Sequence, residues 1–288
     1  MVFGKHKAEC YVPDGIPSEA AMDRATIAAV GAHPDDLEIM ALSGILEARR
    51  LGGKRFLGIV ATPGSTEPRT GVYSGLSYDD LREIRRDEQR LAADIGDYSG
   101  VVQLMYESRE VKDPREAGLF LDLKAIFERT RPEAVYLHNP FDRHDTHVAV
   151  CLRSLQAIRA ASEATGWLPG KVYGCASWRG LDWLVHHDRI ALPIHDPDHL
   201  SEQLIHAYKS QYAQDSQFEA ALRGRRIVNA IHQESHALGL AQEVDHVMDM
   251  MPLVRAQTLD MAEYMGHVLH HFEQDALERV ARFTGKDK

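Results

Sequence analysis

With 288 residues, 44% of them apolar and 26% charged, the chain can build a sizeable core and has the composition of an ordinary soluble globular protein. A formal charge of −10 argues against a nucleic-acid or anionic-membrane partner, which would need a basic face. Cys10, Cys151 and Cys175 are too few and scattered for a disulfide scaffold or a cysteine-built zinc finger, and they fit a cytoplasmic location. No stretch approaches membrane-spanning length, so no membrane partner is expected.

Residues 1–25 are polar and broken by Pro13 and Pro17, which reads as an N-terminal surface arm. Ala25 to Val30 is a short apolar run of strand type, and Leu37 to Leu51 has apolar residues at helical spacing up to Gly52-Gly53. Arg55 to Thr62 is a second buried strand, followed by a Gly/Ser/Thr/Pro-rich loop from Pro63 to Tyr78. A charged helix (Asp79 to Ile95), a strand (Val101 to Met105), a helix (Leu119 to Thr130), a strand (Ala134 to Leu137) and an Ala-rich helix (Val148 to Ala161) follow. This alternation predicts an α/β fold over 26–218, with a Rossmann-like, mostly parallel sheet and helices on both faces. Residues 219–288 read as a C-terminal helical extension. In it Leu253 to Phe283 is expected to form one long helix, burying Leu253, Leu259, Met261, Met265, Leu269 and Phe272 against preceding helices or a second subunit. Met248 to Met251 looks like exposed, adaptable apolar surface, so a homo-oligomer is expected.

Two polar loops stand out. Gly31-Ala32-His33-Pro34-Asp35-Asp36-Leu37-Glu38 follows the first strand, and His138-Asn139-Pro140-Phe141-Asp142-Arg143-His144-Asp145-Thr146-His147 follows the fourth. Both sit at the carboxyl end of a strand before a helix, where open α/β sheets bind ligands. Taken alone, either loop is explained by helix capping: Asp35 or Asp36 in the first, Asp145 in the second with His138 and His144 solvated. Together, if the two strands are neighbours, they bring His33, Asp36 and one of the pair His144/His147 to one crevice. That is a His-His-carboxylate set suited to catalytic zinc. The first turn lacks the Gly-x-Gly-x-x-Gly of a dinucleotide site, and its carboxylates would repel phosphate.

The unbroken His33-Pro34-Asp35-Asp36-x-Glu38 signature, the His144-Asp145-Thr146-His147 quartet, Arg85-x-x-Glu88 and Lys209-Ser210-Gln211 make the chain resemble the PIG-L/LmbE-like zinc-dependent deacetylases. Those enzymes remove the acetyl group from N-acetylglucosamine-type amides. The quartet keeps both histidines of the family's usual His-Pro-Asp-His and changes the residues between; the resemblance spans Thr26 to Gln211. It implies that His33, Asp36 and His147 hold Zn2+ or another divalent ion, that Asp35 is the general base, and that His144 stabilises or protonates the intermediate. Arg85 and Glu38 would contact substrate. The implied partner is a small N-acetylated sugar or conjugate; a related amidase acting on a sugar–thiol conjugate or other small amide is the alternative. Asp142 could orient a histidine or simply form the turn.

Other motifs are read differently. His195-Asp196-Pro197-Asp198-His199 imitates the usual second signature but precedes a helix that Asp196 or Asp198 would cap. His186-His187 and His270-His271 read as surface pairs, and His232/His236 lie one turn apart on a polar helix face. Trp178 and Trp183 flank a polar-aromatic loop that would suit a sugar ring or a core equally.

Overall fold

The computed structural model describes residues 1–64, 71–212, 217–233 and 242–285. Its elements run β1 (Glu9–Tyr11), α1 (Ser18–Asp23), β2 (Ile27–Gly31), α2 (Asp36–Met40), α3 (Leu42–Arg50), β3 (Phe56–Val60), α4 (Tyr78–Gly96), β4 (Gly100–Gln103), α5 (Ser108–Lys112), α6 (Gly118–Thr130), β5 (Ala134–His138) and α7 (Asp145–Thr165). They continue with β6 (Lys171–Cys175), β7 (Arg189–Ile194), α8 (Leu200–Ile205), α9 (Phe218–Gln233), β8 (Glu243–Asp249), α10 (Met251–Arg255) and α11 (Met261–Thr284).

The strands form one sheet in the order β1-β4-β3-β2-β5-β6-β8-β7. The five central strands, β4 to β6 in that order, are parallel, and the outer pairings of β1, β8 and β7 are antiparallel. β2, β3, β4 and β5 are buried throughout because helices cover both faces, which is why they read as continuous apolar runs. Along β2, Ile27 and Ala29 join the core under α2, α3, α4 and α8, whereas Ala28 and Val30 join the one under α6 and α7. The chain winds from β2 outward to β4 and then returns to β5 beside β2. The strand order therefore reverses between β2 and β5, and the loops after these two strands face one another.

The ends of the chain differ from expectation. The polar arm contributes β1, whose residues pair with Val101 to Gln103, so part of it is an edge strand. The stretch read as wholly helical contributes β8, which inserts antiparallel between β6 and β7. Met248, Met250 and Met251 are consequently buried, correcting the expected exposed surface. Gly174 on β6 makes the room, since an added Cβ would meet Met250 Sδ at 2.6 Å and Met248 Cγ at 2.7 Å.

Two expected helices are each divided. The one from Leu37 breaks at Ala41 into α2 and α3. The one from Leu253 breaks into α10 and α11, where Asp260 caps α11 by accepting from Ala262 and Glu263 N–H. Of its expected apolar side, Leu253 is buried and Leu259, Met261 and Met265 pack against the core; Leu269 and Phe272 remain largely exposed. No described helix is long and apolar enough to cross a membrane.

Candidate active site

Gly31 ends β2, and a Cβ there would lie 2.9 Å from Asp36 Cβ, so only glycine lets the following turn fold back over the strand end. Asp36 closes that turn: its Oδ2 accepts from Ala32 N–H at 2.9 Å and His33 N–H at 2.7 Å. From the neighbouring strand, His138 is the last residue of β5 and is fully buried. Its Nε2 lies 3.3 Å from Asp36 Oδ2 and its Nδ1 lies 3.1 Å from Ser177 Oγ. His144 and Asp145 open α7, which projects His147 back toward the first loop.

Three donors converge. His33 Nδ1 is 3.2 Å from His147 Nε2 and 3.3 Å from Asp36 Oδ2, and His147 Nε2 is 3.4 Å from Asp36 Oδ1. Ligands bound at zinc's usual 2.0–2.2 Å in a tetrahedron stand about 3.3–3.6 Å apart. Each histidine meets an Asp36 oxygen at about that spacing, His33 at Oδ2 and His147 at Oδ1, and the donor chemistry suits such an ion. Donor atoms of His33, His144 and His147 also cluster within 4.8 Å, as do those of Asp36, His138 and His147, so His147 is common to both groupings at this site. His138 stacks on His147 with centroids 3.9 Å apart, whereas the half-buried His144 lies edge-on to His33 at 4.9 Å.

Charge is arranged to keep Asp36 ionised. Burial alone would raise its carboxyl, but the His147 and His138 imidazoles outweigh this and hold it well below the usual range. Burial, and then the neighbouring His147, push His138 down to about 4. Asp142 sits 3.7 Å from His147 Nδ1 and accepts from His144 and Trp178 N–H at 3.0 and 3.1 Å. Burial raises its carboxyl too, yet His147 and these amides bring it to about 2.

Asp35 faces elsewhere. Its backbone is left-handed, φ +90°, and its Oδ2 accepts a short hydrogen bond from the Tyr212 hydroxyl. Gln211 donates to Pro34 O at 2.8 Å, and Ser210 binds Glu88 through its amide (2.7 Å) and hydroxyl (2.6 Å). The Arg-x-x-Glu and Lys-Ser-Gln motifs thus meet, and together they seat Tyr212 over the first loop. Glu38 is fully buried, accepting from Tyr98 at 2.8 Å and Gln89 at 3.1 Å; this places it beneath the loop as a support and not on a substrate-facing wall. Arg85 is also buried, with one guanidinium nitrogen against Gly64, which Pro34 and His33 also flank.

Ser177 carries no functional signal in the sequence, where His138 reads only as a loop residue; the signal for Tyr212 is its place directly after Lys209-Ser210-Gln211. Tyr212 stacks on Phe218 at 4.2 Å, and Phe218 lies 5.8 Å from Trp178, so an aromatic wall runs beside Asp35. Trp183 packs between Phe141 and Phe272 instead. In the imitation motif, Asp196 accepts from Leu200 and Ser201 N–H and so caps α8. A cavity of about 480 Å³ beside it, lined by His195, Asp196, Arg223 and Arg226 among others, includes no residue of the two loops. His187 and His271 approach one another across the sheet edge; of the remaining pair, His236 lies outside the described residues.

Residues 28–158 match the family model PIG-L: GlcNAc-PI de-N-acetylase. Similar solved structures include N,N'-diacetylchitobiose deacetylase from Pyrococcus horikoshii, at 16% identity and TM-score 0.64, covering 87% of this chain and 92% of that one. A conserved protein from Thermus thermophilus has 16% identity and TM-score 0.62, with 82% and 99% covered. GalB, the 4-carboxy-2-hydroxymuconate hydratase from Pseudomonas putida, has 18% identity and TM-score 0.61, with 78% and 96% covered. At these identities the likeness is one of fold. Comparison with curated proteins by sequence gives no match.

Proposed function

We propose that this chain, whose residues 28–158 match the PIG-L de-N-acetylase family model, is a metal-dependent hydrolase removing the acetyl group from an N-acetylglucosamine-type sugar. The observation that carries this reading is the triangle of His33 Nδ1, His147 Nε2 and Asp36, with Asp35 beside it but turned to a different partner. His33, Asp36 and His147 would hold the ion. When bound, a divalent ion polarises an amide carbonyl and lowers the pKa of a water ligand toward about 7.

The remaining chemistry falls to this chain's own groups. Asp35 takes a proton from the attacking water at a carboxylate oxygen and delivers it to the departing amine, giving free amine and acetate. Tyr212 holds that carboxylate in place through its hydroxyl. His144, on the more open side of the cluster, offsets negative charge as it builds on the carbonyl oxygen. Arg85, as buried as Glu38, steadies the first loop from beside Gly64. His138 and Asp142 orient the ligand set from behind. Trp178, Phe218 and Tyr212 give a sugar ring an apolar wall.

The fold alone accommodates other reactions, since one similar structure is a hydratase. The family match to a de-N-acetylase favours deacetylation. The test is amine release from a panel of N-acetylated sugars, with bound metal counted in the same preparation. Release that stops on chelation and returns with Zn2+ supports the reading. Metal-loaded protein that frees no amine from any N-acetylated sugar overturns it.

A further inference from the structure

We propose that His187, Asp188 and His271 form a second divalent-metal site, outside the catalytic centre, which clips α11 to the edge of the sheet. His187 and Asp188 lie in the single 3-10 turn that leads into β7, and His271 lies midway along α11. His271 Nδ1 is 2.8 Å from Asp188 Oδ2, His187 Nε2 is 3.8 Å from the same oxygen, and the two imidazoles stand 4.6 Å apart. One donor atom from each residue falls within 4.8 Å of the others.

The two distances to Asp188 Oδ2, 2.8 and 3.8 Å, bracket the roughly 3.3–3.6 Å separation of ligands on a tetrahedral zinc ion. The 3.8 Å spacing is too long for a hydrogen bond, so Asp188 does not fix the His187 ring in that way. An ion would replace the proton that a neutral His271 shares with Asp188. Two imidazoles and one carboxylate select zinc-like ions over magnesium or calcium, which prefer all-oxygen ligands. Asp188 is 13% exposed, His271 42% and His187 65% by side chain, so an ion reaches the group directly from solvent.

The site also sits where the helix needs an anchor. Val268 is the one fully buried residue among those described in α11, and beyond His271 nearly every residue is exposed. Phe272 adds an edge-on contact with Trp183 at 5.9 Å. A shared ion would join positions 83 residues apart, a long-range link of the kind that restrains an unfolded or detached segment most.

The experiment uses full-length protein stripped with chelator, dialysed against Zn2+, and compared as wild type, H147A and the H187A/H271A double variant. Wild type should bind two ions per chain and each variant one. Zn2+ should slow backbone hydrogen exchange in residues 261–284 of wild type and of H147A, but not of H187A/H271A. The double variant should keep wild-type amine release. Equal ion counts in wild type and H187A/H271A, or exchange in α11 that ignores Zn2+ in wild type, would overturn the clip. Both readouts are independent of the catalytic assignment, so the clip stands or falls whether or not any N-acetylated sugar is hydrolysed.

Discussion

Asp35 and Asp36 share a peptide bond, yet their carboxylates serve different neighbourhoods: Asp36 lies against His33, His138 and His147, and Asp35 lies against Tyr212. The left-handed backbone at Asp35 produces the divergence, turning one side chain out of the turn while the next closes it. A non-glycine residue held at φ +90° costs on the order of 1–3 kcal/mol, which the surrounding hydrogen bonds must offset. Such local strain is expected where geometry serves chemistry.

Asp35→Asn should therefore keep its metal and lose about 10²–10⁴-fold in turnover, the usual worth of general-base help. Asp36→Asn should lose metal and activity together. Bound metal measured beside turnover in both variants decides it. A metal-free Asp35→Asn with a loaded Asp36→Asn would exchange the two roles.

His144 tests where the ligand set ends. Its ring nitrogens cluster with those of His33 and His147, but its half-buried position and edge-on approach to His33 suit a group facing substrate. His144→Ala is expected to retain a full complement of metal while the rate constant for turnover falls. Loss of the ion in that variant would make His144 a ligand.

Tyr212 is expected to act through Asp35. Removing its hydroxyl in Tyr212→Phe should lower kcat by about 10–100-fold, the worth of a hydrogen bond to a charged group at about 1.5–3 kcal/mol. KM and metal content should change little, because the ring and its stack on Phe218 remain. A raised KM with unchanged kcat would place Tyr212 in substrate binding instead.

The two loops could be read from the sequence because period and composition locate strand ends, and because His33 to Glu38 is an unbroken motif. Their meeting follows from β2 and β5 being neighbours. What the sequence concealed depends on contacts between distant segments. β5 runs one residue further than expected, so His138 is a buried strand residue facing Asp36 and not a solvated loop histidine. β8 carries Asp245 and His246 in its interior, a pattern with no clean alternation, and its pairing with β6 and β7 alone makes it a strand. Glu38, adjacent to the site in sequence, turns inward to Tyr98 and Gln89 because α2 faces the core there.

We also expect self-association through α11. Leu269, Leu277, Val280 and Phe283 are 49%, 55%, 59% and 89% exposed, a run of large apolar side chains on one terminal helix. Sedimentation of wild type should give a multiple of the 32.3 kDa chain mass, and replacing Leu277, Val280 and Phe283 by Ser should reduce it. Identical masses for the two proteins would remove α11 from the interface.

The last expectation concerns stability behind the site. Arg226 on α9 is buried, and its Nε donates to Asp245 of β8 at 3.2 Å while its guanidinium also reaches Ile39 O at 3.3 Å. This one side chain ties the late strand to the helix that follows the first loop. Charges taken out of water this way are costly when one partner is removed and far less so when both are. Arg226→Ala should destabilise the fold by up to roughly 3–5 kcal/mol, because Asp245 loses its hydrogen-bonded partner and keeps only the charge of the neighbouring Arg225. The pair Arg226→Met with Asp245→Leu should recover part of that loss, since it removes both charges of the bridge while Arg225 loses its nearby carboxylate. Urea unfolding of the two variants beside wild type measures both values. A double variant as unstable as Arg226→Ala would mean that the bond to Ile39 O, and not the ion pair, carries the link.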